Sequence, residues 1–511
     1  MTTISKTKMA AAFALSALAA SAAAPWSDTP VTCHWIGAVK AGSSTYGNYA
    51  LWTDPDNWAE GIVPGMTIDG ANGCPGCTAV FDRECAITAV RVENIAISNI
   101  VVSGSTVPQI TIGMPWIYDG PYLYLECGGG IYVDSDVVNA PLVRSAIYYL
   151  RGSSGPVTDI YFENNSSTPL RLIGRYLGPN VTFSSYAGTC RIVMLGTGEI
   201  RAETGPHVIN NYSLELLLNM RGGKFVQDCN DDISQITTGA TGVRQHLEIP
   251  SGRTLTIRGM GAARGTPPLW AQNSDLLVDG GGTCSFNAPA ANDVFLCANS
   301  TRTLTLDCEV VRTAGGRFVI GTEWYGGGTI TLADGASVVE PVDFYNSTLQ
   351  LADGAVFTNS VSIHDGRSGA ISGGSESAAK IAGGVAGTTR PLTLKRRLAI
   401  ASDITATTTL AADAVLSFSK AGEDATAFTI SSLALSGDAT IPVEDGVTAT
   451  IAAINNNGHA LDIRSTGTGK VVFSGLSVGR APEWLTLNGD KARIAPDHTL
   501  TPPKGMVISV K

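Results

Sequence analysis

A repeated ten-residue phrase constrains the fold of this chain more than any other feature of its sequence. The phrase is TITLADGASV at 329–338, and it returns as TLQLADGAVF at 348–357. Each copy alternates apolar with polar residues, as Ile330 and Leu332 do, which is the period-2 pattern of a strand with one buried face. Each strand then runs into Asp-Gly, a pair suited to tight turns because Gly tolerates φ > 0 and Asp can bond nearby backbone.

One copy of the phrase cannot bury its apolar row alone, so the repeat predicts strands that cover one another. Shorter versions start 22, 27, 26 and 19 residues apart, at Thr254, Leu276, Thr303, Thr329 and Thr348. We therefore predict an all-β fold, a single long right-handed parallel β-helix with an N-terminal aromatic cap and a C-terminal hairpin cap. The alternative is an array of β-sandwiches, but the regular two-residue hairpin turns that it requires are not evident.

One turn of the predicted β-helix is called a rung here. Composition and the length of the expected rungs divide the chain into five segments. Residues 1–22 have the features of a signal peptide, because Lys6 and Lys8 precede an apolar run and Ala20-Ser21-Ala22 fits a cleavage site. The other segments are a Trp-rich cap (23–95), a long-rung half with the cysteines (96–312), a short-rung half without them (313–478) and C-terminal cap strands (479–511). The protein is therefore expected to be secreted or held at a cell surface.

Composition also narrows the expected partners. Gly accounts for 58 of 511 residues and charged residues for only 15%, which suits many tight corners between short strands. The net charge of −10 becomes −12 when the two lysines of residues 1–22 are removed, and this disfavours nucleic acid and anionic membranes. No later stretch reaches 18 apolar residues, so we expect no transmembrane segment after signal cleavage.

All ten cysteines lie in the first two thirds of the chain, and an even number in an exported protein predicts structural disulfides. The candidates are Cys33, Cys74, Cys77, Cys85, Cys127, Cys190, Cys229, Cys284, Cys297 and Cys308. Cys74-Pro-Gly-Cys77 has the spacing of a zinc or redox motif. However, only Cys85 is close enough in sequence to add a ligand, and the βαβ context of a thioredoxin-like site is absent. The pairing cannot be deduced from the sequence.

The N-terminal cap carries four short patterns rich in aromatic residues. They are Trp35-Ile36-Gly37, the W-x-D-x-x-N-W run at 52–58, Gly61-Ile62-Val63-Pro64 and Ala79-Val80-Phe81. Buried aromatic side chains are what the exposed end of a solenoid requires, since an uncovered end presents apolar core and unpaired strand edges. The residues expected to build the cap are Trp35, Trp52, Asp54, Asn57, Trp58, Pro64 and Phe81.

This set of patterns resembles the start of large exported β-helix proteins of the autotransporter-passenger type, as found in bacteria of the Verrucomicrobia and Planctomycetes kind. The resemblance covers 35–81 closely, and GTGKVVFSG at 467–475 is similar to a strand repeat of the same passengers. The chain departs from the pattern in its inserted Cys74–Cys77 loop, and no sequence pattern predicts the membrane barrel of true autotransporters. The resemblance implies a secreted or surface β-helix of mostly unassigned function and brings no catalytic site.

Two acidic pairs are weak candidates for catalysis, because glycoside hydrolysis requires two carboxylates that face one cleft. Asp134 and Asp136 would point the same way on a strand, and Asp231-Asp232 forms the second pair. Acids in Gly-, Ser- and Asn-rich segments are mostly turn formers, so we favour that interpretation over a catalytic or calcium site. For Asp54, likewise, an Asx turn is favoured over calcium.

The six histidines, at 34, 207, 246, 364, 459 and 498, are scattered, with none in a metal-ligand cluster. Known nucleophile, phosphate and dinucleotide motifs are missing, so we expect no cofactor and no metal. The favoured function is a non-enzymatic adhesin or structural surface element whose partners are glycans or other surface proteins. The alternative is a carbohydrate-binding or carbohydrate-cleaving β-helix, a lyase or hydrolase. That alternative predicts carboxylates, an aromatic and a basic residue converging on one concave face between about 120 and 310.

Overall fold

The computed structural model is all-β, and most of its strand pairings are parallel. It describes residues 26–44, 47–68, 70–113, 123–144, 147–150, 157–173, 176–179, 189–203, 215–239, 242–258, 267–287, 294–314, 318–321, 327–333, 337–338, 342–358, 360–363, 368–387, 391–424 and 426–503. Within these ranges the helical structure is the single 3₁₀ turn Pro55–Asn57, and no helix has the length and apolar composition that a membrane crossing requires.

The chain divides into two compact units, and the first comprises 1–155 with 163–185. Its longest parallel pairing joins Ile95–Val102 to Leu123–Val133, and Ile95–Val102 also pairs with Thr78–Phe81. The remaining strands are Thr32–His34, Gly42–Ser44, Gly47–Leu51, Met66–Thr67, Ala89–Arg91, Thr111–Ile112, Leu142–Val143, Ile147–Leu150, Leu170–Leu172 and Tyr176–Pro179. Val157–Asn164 is divided between the two units.

The second unit comprises 156–162 with 186–511, and over much of it every third strand along the chain pairs in parallel, which produces three stacks. The first stack is Glu199–Ala202, Lys224–Gln227, Gln245–Glu248, Leu276–Asp279, Thr303–Leu306, Thr329–Leu332, Thr348–Leu351, Gly369–Ser372 and Leu392–Lys395. The second is Thr189–Gly196, Glu215–Met220, Gln235–Thr238, Leu269–Ala271, Val294–Ala298, Phe318–Ile320, Val342–Phe344, Val361–Ile363 and Val385–Ala386.

The third stack consists of two successive sheets. The first is Asp231–Ile233, Thr254–Ile257, Thr283–Asn287, Glu309–Ala314 and Ser337–Val338. The second is Val356–Phe357, Ala379–Ile381, Arg397–Ile400, Val415–Phe418, Ala439–Val443, Leu461–Ser465, Leu485–Leu487 and Asp490–Lys491. The first two stacks meet in Ile404–Leu410, which pairs with both, and they continue through Thr426–Leu435, Val447–Ile451, Ile454–Asn455 and Lys470–Phe473. Gly479–Arg480, Arg493–Ile494 and Leu500–Thr501 form a small antiparallel sheet.

The two copies of the repeated phrase pair in parallel, as predicted. Thr329 lies opposite Thr348 and Leu332 opposite Leu351, and Ile330 and Leu349 are both fully buried. Strands that begin 19 residues apart along the chain therefore cover one another's apolar rows. A hairpin of these two strands is excluded, because hairpin partners pair antiparallel.

The phrase at Thr254 lies in a different stack from the other four. Thr254–Ile257 belongs to the third stack, where Thr254 lies opposite Thr283. The first-stack neighbour of Leu276–Asp279 is instead Gln245–Glu248. Thr254–Ile257 buries every second side chain just as the first-stack strand Thr303–Leu306 does, so the alternation alone does not reveal to which stack a strand belongs.

Two turn aspartates accept hydrogen bonds from the backbone of a later turn. The Asp353 carboxylate accepts hydrogen bonds from the backbone N–H groups of Glu376 (2.7 Å) and Ser377 (2.8 Å), while Gly354 completes the turn at φ +73°. Asp445 accepts in the same way from the N–H of Thr468 (2.6 Å). We had expected such acids to bond their own local backbone, but their partners lie 23 or 24 residues further on. Asp334-Gly335, the other predicted turn, lies outside the described residues.

The predicted C-terminal hairpin is present. Leu485–Leu487 pairs antiparallel with Asp490–Lys491, and the two turn residues Asn488 and Gly489 have φ values of +54° and +81°. Positive φ at both positions is what a type I′ turn needs, and Asn-Gly provides it at low cost. Residues 504–511 of the predicted C-terminal cap strands lie outside the described residues.

Candidate functional site

The aromatic motif residues at the N-terminus form one buried cluster. Trp35 and Trp52 each meet Trp58 edge to face, with ring centroids 5.0 and 4.9 Å apart, and Phe81 packs beside all three. Each of the four is at most 1% exposed. The indole N–H groups donate to backbone carbonyl oxygens, Trp52 to Pro64 at 3.0 Å and Trp58 to Trp52 at 2.8 Å. The cluster is therefore apolar and satisfied in its hydrogen bonds, which is the chemistry of a core.

The polar residues of the same motif hold the backbone around this cluster. Asp54 accepts a hydrogen bond from the N–H of Asp56 (3.1 Å) and caps the 3₁₀ turn, as expected for an Asx turn. Asn57 is fully buried; its side chain accepts from the Val39 N–H (2.7 Å) and donates to the Leu51 carbonyl (3.1 Å). Gly37 lies at φ +54°, where an added Cβ would come within 2.5 Å of a carbonyl oxygen. The motif is explained by packing and turn geometry.

The expected disulfide framework is not found. None of the nine cysteines whose side chains the structure describes forms a disulfide, and the side chain of Cys190 lies outside the described set. Strand register places Cys33 opposite Ala79, Cys284 opposite Val310 and Cys297 opposite Trp270, while Cys77 lies near Cys33 and Cys308 near Cys284 as free thiols.

The thiols of Cys33, Cys74 and Cys308 have raised pKa values, whereas a reactive or metal-binding cysteine has a lowered one. Burial raises the pKa of Cys33 to about 12, and the neighbouring Glu60 and Cys77 add to the effect. In the Cys74–Cys77 loop, burial and then Cys77 raise the pKa of Cys74, whereas a redox or zinc motif requires a lowered one. The Cys77 thiol donates to the Cys74 carbonyl at 3.2 Å, so local hydrogen bonding accounts for the loop.

The first acidic pair proposed from the sequence lies in a turn. Asp134 and Asp136 lie in the exposed turn after Leu123–Val133 and not on a strand, so the expectation of a shared strand face was wrong. Asp136 accepts from the Gly104 N–H at 3.1 Å. Burial, followed by repulsion from Asp136 and Glu163, raises the pKa of Asp134.

The second pair lies on the first strand of the third stack. Asp232 forms an ion pair with Arg258, and nothing can be said of the Asp231 side chain, which is outside the described set. The Asp232 carboxylate is therefore engaged by a guanidinium, and the pairing of Asp231 with Asp232 stays a prediction.

The structure instead brings charged side chains together on the outer side of the first stack. We call this set the charged face; it consists of Glu199, Arg201, Lys224, His246, Glu248 and Asp279. Alternation places them there, because the residues between them, such as Ile200 and Leu247, point into the core. Their side chains are 22 to 32% exposed.

Ion pairs connect the charged face from strand to strand. Glu199 contacts Arg201 (Oε1 to Nε, 2.8 Å) and lies 3.7 Å from the Lys224 ammonium through its other oxygen. Lys224 also pairs with Glu248 on the following strand. Burial opposes the charged form of Lys224, but the hydrogen bond to Glu248 and the nearby Glu199 and Asp279 outweigh it and raise the pKa of the lysine. The ammonium therefore stays charged at neutral pH.

The charged face ends in a cluster that sequence reasoning missed. The Nε2 atom of His246 lies 2.7 Å from Oδ1 of Asp279, and His246, Glu248 and Asp279 offer ligand atoms that lie within 4.8 Å of one another. The expectation that no histidine joins such a cluster was wrong for His246. The sequence signal that could have revealed this cluster is the spacing His246-x-Glu248 on a strand, because residues two apart on a strand share a face.

Comparison with known protein families, curated proteins and solved structures found no match to this chain.

Proposed function

We propose that this protein is a right-handed parallel β-helix that is exported and acts as a non-enzymatic adhesin or structural element at a cell surface. The three parallel stacks support the β-helix, because a chain that returns to the same stack at every third strand must wind around a common core. The buried aromatic cluster in the first unit supports the proposed N-terminal cap, and the Asn488-Gly489 hairpin in the second unit supports the proposed C-terminal cap.

One observation carries the functional part of this proposal. The carboxylates of the charged face pair with basic side chains, as Glu199 does with Arg201 and Lys224, and turn aspartates such as Asp353 bond the backbone of the next turn. Acids used in this way connect neighbouring strands. Cross-strand pairs of opposite charge contribute roughly 0.2–1 kcal/mol each to sheet stability.

Export and the absence of bond cleavage can be tested together. The full chain is expressed in a bacterial host, the mature N-terminus is determined by mass spectrometry, and the purified protein is incubated with a polysaccharide panel under reducing-sugar and unsaturated-product assays. We expect loss of 1–22, accessibility to external protease on the cell surface or recovery from the medium, and no product. Retention in the cytoplasm with the leader attached contradicts export, and product formation by the folded protein contradicts the non-enzymatic role.

Glycan binding at the charged face is a second candidate, favoured by the convergence of carboxylates, a guanidinium, an ammonium and an imidazole on one side of the first stack. The aromatic platform expected of such a site is not offered by Trp270, whose side chain is 7% exposed and whose N–H donates to Asn299 at 3.1 Å. A glycan array with the wild-type protein, Lys224→Met and the control Glu483→Gln tests it. Glu483 is 91% exposed near the C-terminal hairpin, so only Lys224→Met should lose binding; equal binding by all three removes this candidate.

A further inference from the structure

Three residues on two neighbouring strands of the first stack form a group with metal-ligating chemistry. His246 and Glu248 are two apart on Gln245–Glu248, so both point outward on the same face. Asp279 is the register partner of Glu248 on the next strand. The sheet therefore fixes the three side chains relative to one another by the pairing of two backbones, without a loop.

The donor atoms of this group lie close to one another. One imidazole nitrogen and two carboxylate oxygens are within 4.8 Å of one another, and His246 Nε2 is hydrogen-bonded to Asp279 Oδ1 at 2.7 Å. A tetrahedral Zn²⁺ holds nitrogen and oxygen ligands about 2.0–2.2 Å from the metal, so two of its ligands lie about 3.3–3.6 Å apart. Metal binding would therefore replace the His246–Asp279 hydrogen bond and readjust the side chains around the ion.

The charges around the group are also compatible with a divalent ion. Lys224 pairs with Glu248, but Glu199 lies 3.7 Å from the same ammonium and offers it an alternative carboxylate. Arg201 is held by Glu199 and, at 3.3 Å, by Asp228. The Glu248 and Asp279 carboxylates both belong to this group, and a divalent ion bound there would replace the Lys224 ammonium as the cation beside Glu248.

Within the part of the chain that the structure describes, a second His–Asp contact, between His34 and Asp82, lacks the third ligand that the His246 group has. His34 Nδ1 lies 2.8 Å from Asp82 Oδ2, with exposures of 30 and 26% that match the 29 and 25% of His246 and Asp279. The Asp82 carboxylate, however, also binds the Arg83 guanidinium. Among the described residues, the group of three with ligand geometry is the one at His246.

We propose that His246, Glu248 and Asp279 bind one divalent transition-metal ion, with Zn²⁺ the probe of choice. An imidazole with two carboxylates leaves at least one position open in a tetrahedral site, so water or an oxygen donor of a bound molecule completes the coordination. The ion bridges two successive strands of the stack and displaces Lys224 toward Glu199.

The test is Zn²⁺ binding to the full metal-stripped chain by isothermal titration calorimetry. His246→Ala and Asp279→Asn are compared with His34→Ala, the matched control. We expect one ion per chain in the wild type and in His34→Ala, and a dissociation constant raised at least about tenfold in the other two variants, the loss that even an outer-shell partner of a metal causes. Thermal unfolding in EDTA establishes that each variant is folded.

Replacing Zn²⁺ with Co²⁺ distinguishes metal binding by cysteine thiolates from metal binding by His246, Glu248 and Asp279. Nitrogen and oxygen ligation gives no intense sulfur-to-metal charge-transfer absorption, and binding should persist in Cys74→Ser/Cys77→Ser. The proposal is overturned if His246→Ala binds as tightly as the wild type, if the charge-transfer band appears and vanishes in the double cysteine variant, or if the wild-type chain binds no Zn²⁺.

Discussion

Several polar side chains in this protein bond residues on the next strand, which strand register brings beside them. Asp462 is an example: its carboxylate accepts from the Gly489 N–H (2.8 Å) and the Thr486 hydroxyl (2.7 Å) across the stack. Burial alone would raise the pKa of Asp462, but these hydrogen bonds and the one from Arg464 outweigh it and lower the pKa. The residue therefore links the proton equilibrium to the stability of the C-terminal hairpin.

Asp462→Asn should destabilise the protein at pH 7 by about 1.5–3 kcal/mol, the range for a hydrogen bond to a charged group. Because the folded-state pKa is depressed, the stabilisation is present above the unfolded-state value of about 3.9 and is lost as the pH falls through the folded-state pKa. The difference between wild type and variant should therefore shrink below about pH 4. Urea unfolding at several pH values measures it; Asp490→Asn, exposed in the same hairpin, is the control, and a pH-independent difference contradicts the linkage.

The aromatic cluster allows a second test at the same scale. Trp58→Ala removes the ring that meets both Trp35 and Trp52, and it should cost about 3–5 kcal/mol, as for other large buried aromatics. Asp56→Ala, on the exposed side of the same 3₁₀ turn, should change stability by less than about 0.5 kcal/mol. Denaturant unfolding followed by tryptophan fluorescence compares them, and equal effects would mean that the cluster does not stabilise the N-terminal unit.

At the scale of strands, the alternation of apolar and polar residues reveals which side chains are buried, whereas the register reveals which strands are neighbours. The alternation in T-I-T-L correctly predicted that Ile330 is buried, and the repeat of the phrase correctly predicted that the two phrase strands pair in parallel. The alternation could not assign Thr254 to a stack, because Thr254–Ile257 alternates just as the first-stack strand Thr303–Leu306 does. It also could not find the cluster at His246, because Asp279 reaches that position only through the pairing of Glu248 with a strand 31 residues further on. The partner of Asp353 was missed for the same reason.

Substitutions within one phrase strand test whether the strand has a buried and an outer face. Ile330→Ala should destabilise the protein by about 2–5 kcal/mol, because a fully buried side chain leaves a cavity between two rungs. Thr331→Ala, the next residue and outward-facing, should change stability by less than about 0.5 kcal/mol. Urea unfolding followed by circular dichroism measures both; a larger effect of Thr331→Ala would mean that the strand faces are assigned the wrong way round.

At the scale of the whole second unit, the parallel stacking of strands connects the observations. Parallel pairing at every third strand explains why turn aspartates bond the next turn, why charges form a line across the first stack, and why the apolar rows of short strands suffice for a core. Export, surface display and metal binding are proposals built on that stack. Each loses its structural basis if successive strands do not lie one above another.

Distances across the first stack test this stacking most directly. Leu277, Thr305, Thr331, Gln350, Ser372 and Lys395 occupy equivalent positions on six successive strands. Spin labels attached through an introduced ketone-bearing amino acid, which leaves the cysteines untouched, are placed at 277 with either 350 or 395 and measured by double electron–electron resonance. At roughly 4.8 Å per strand, the account predicts backbone separations of about 14 and 24 Å. Separations that do not increase with the number of intervening strands, or a 277–395 distance far beyond the predicted one, would contradict it.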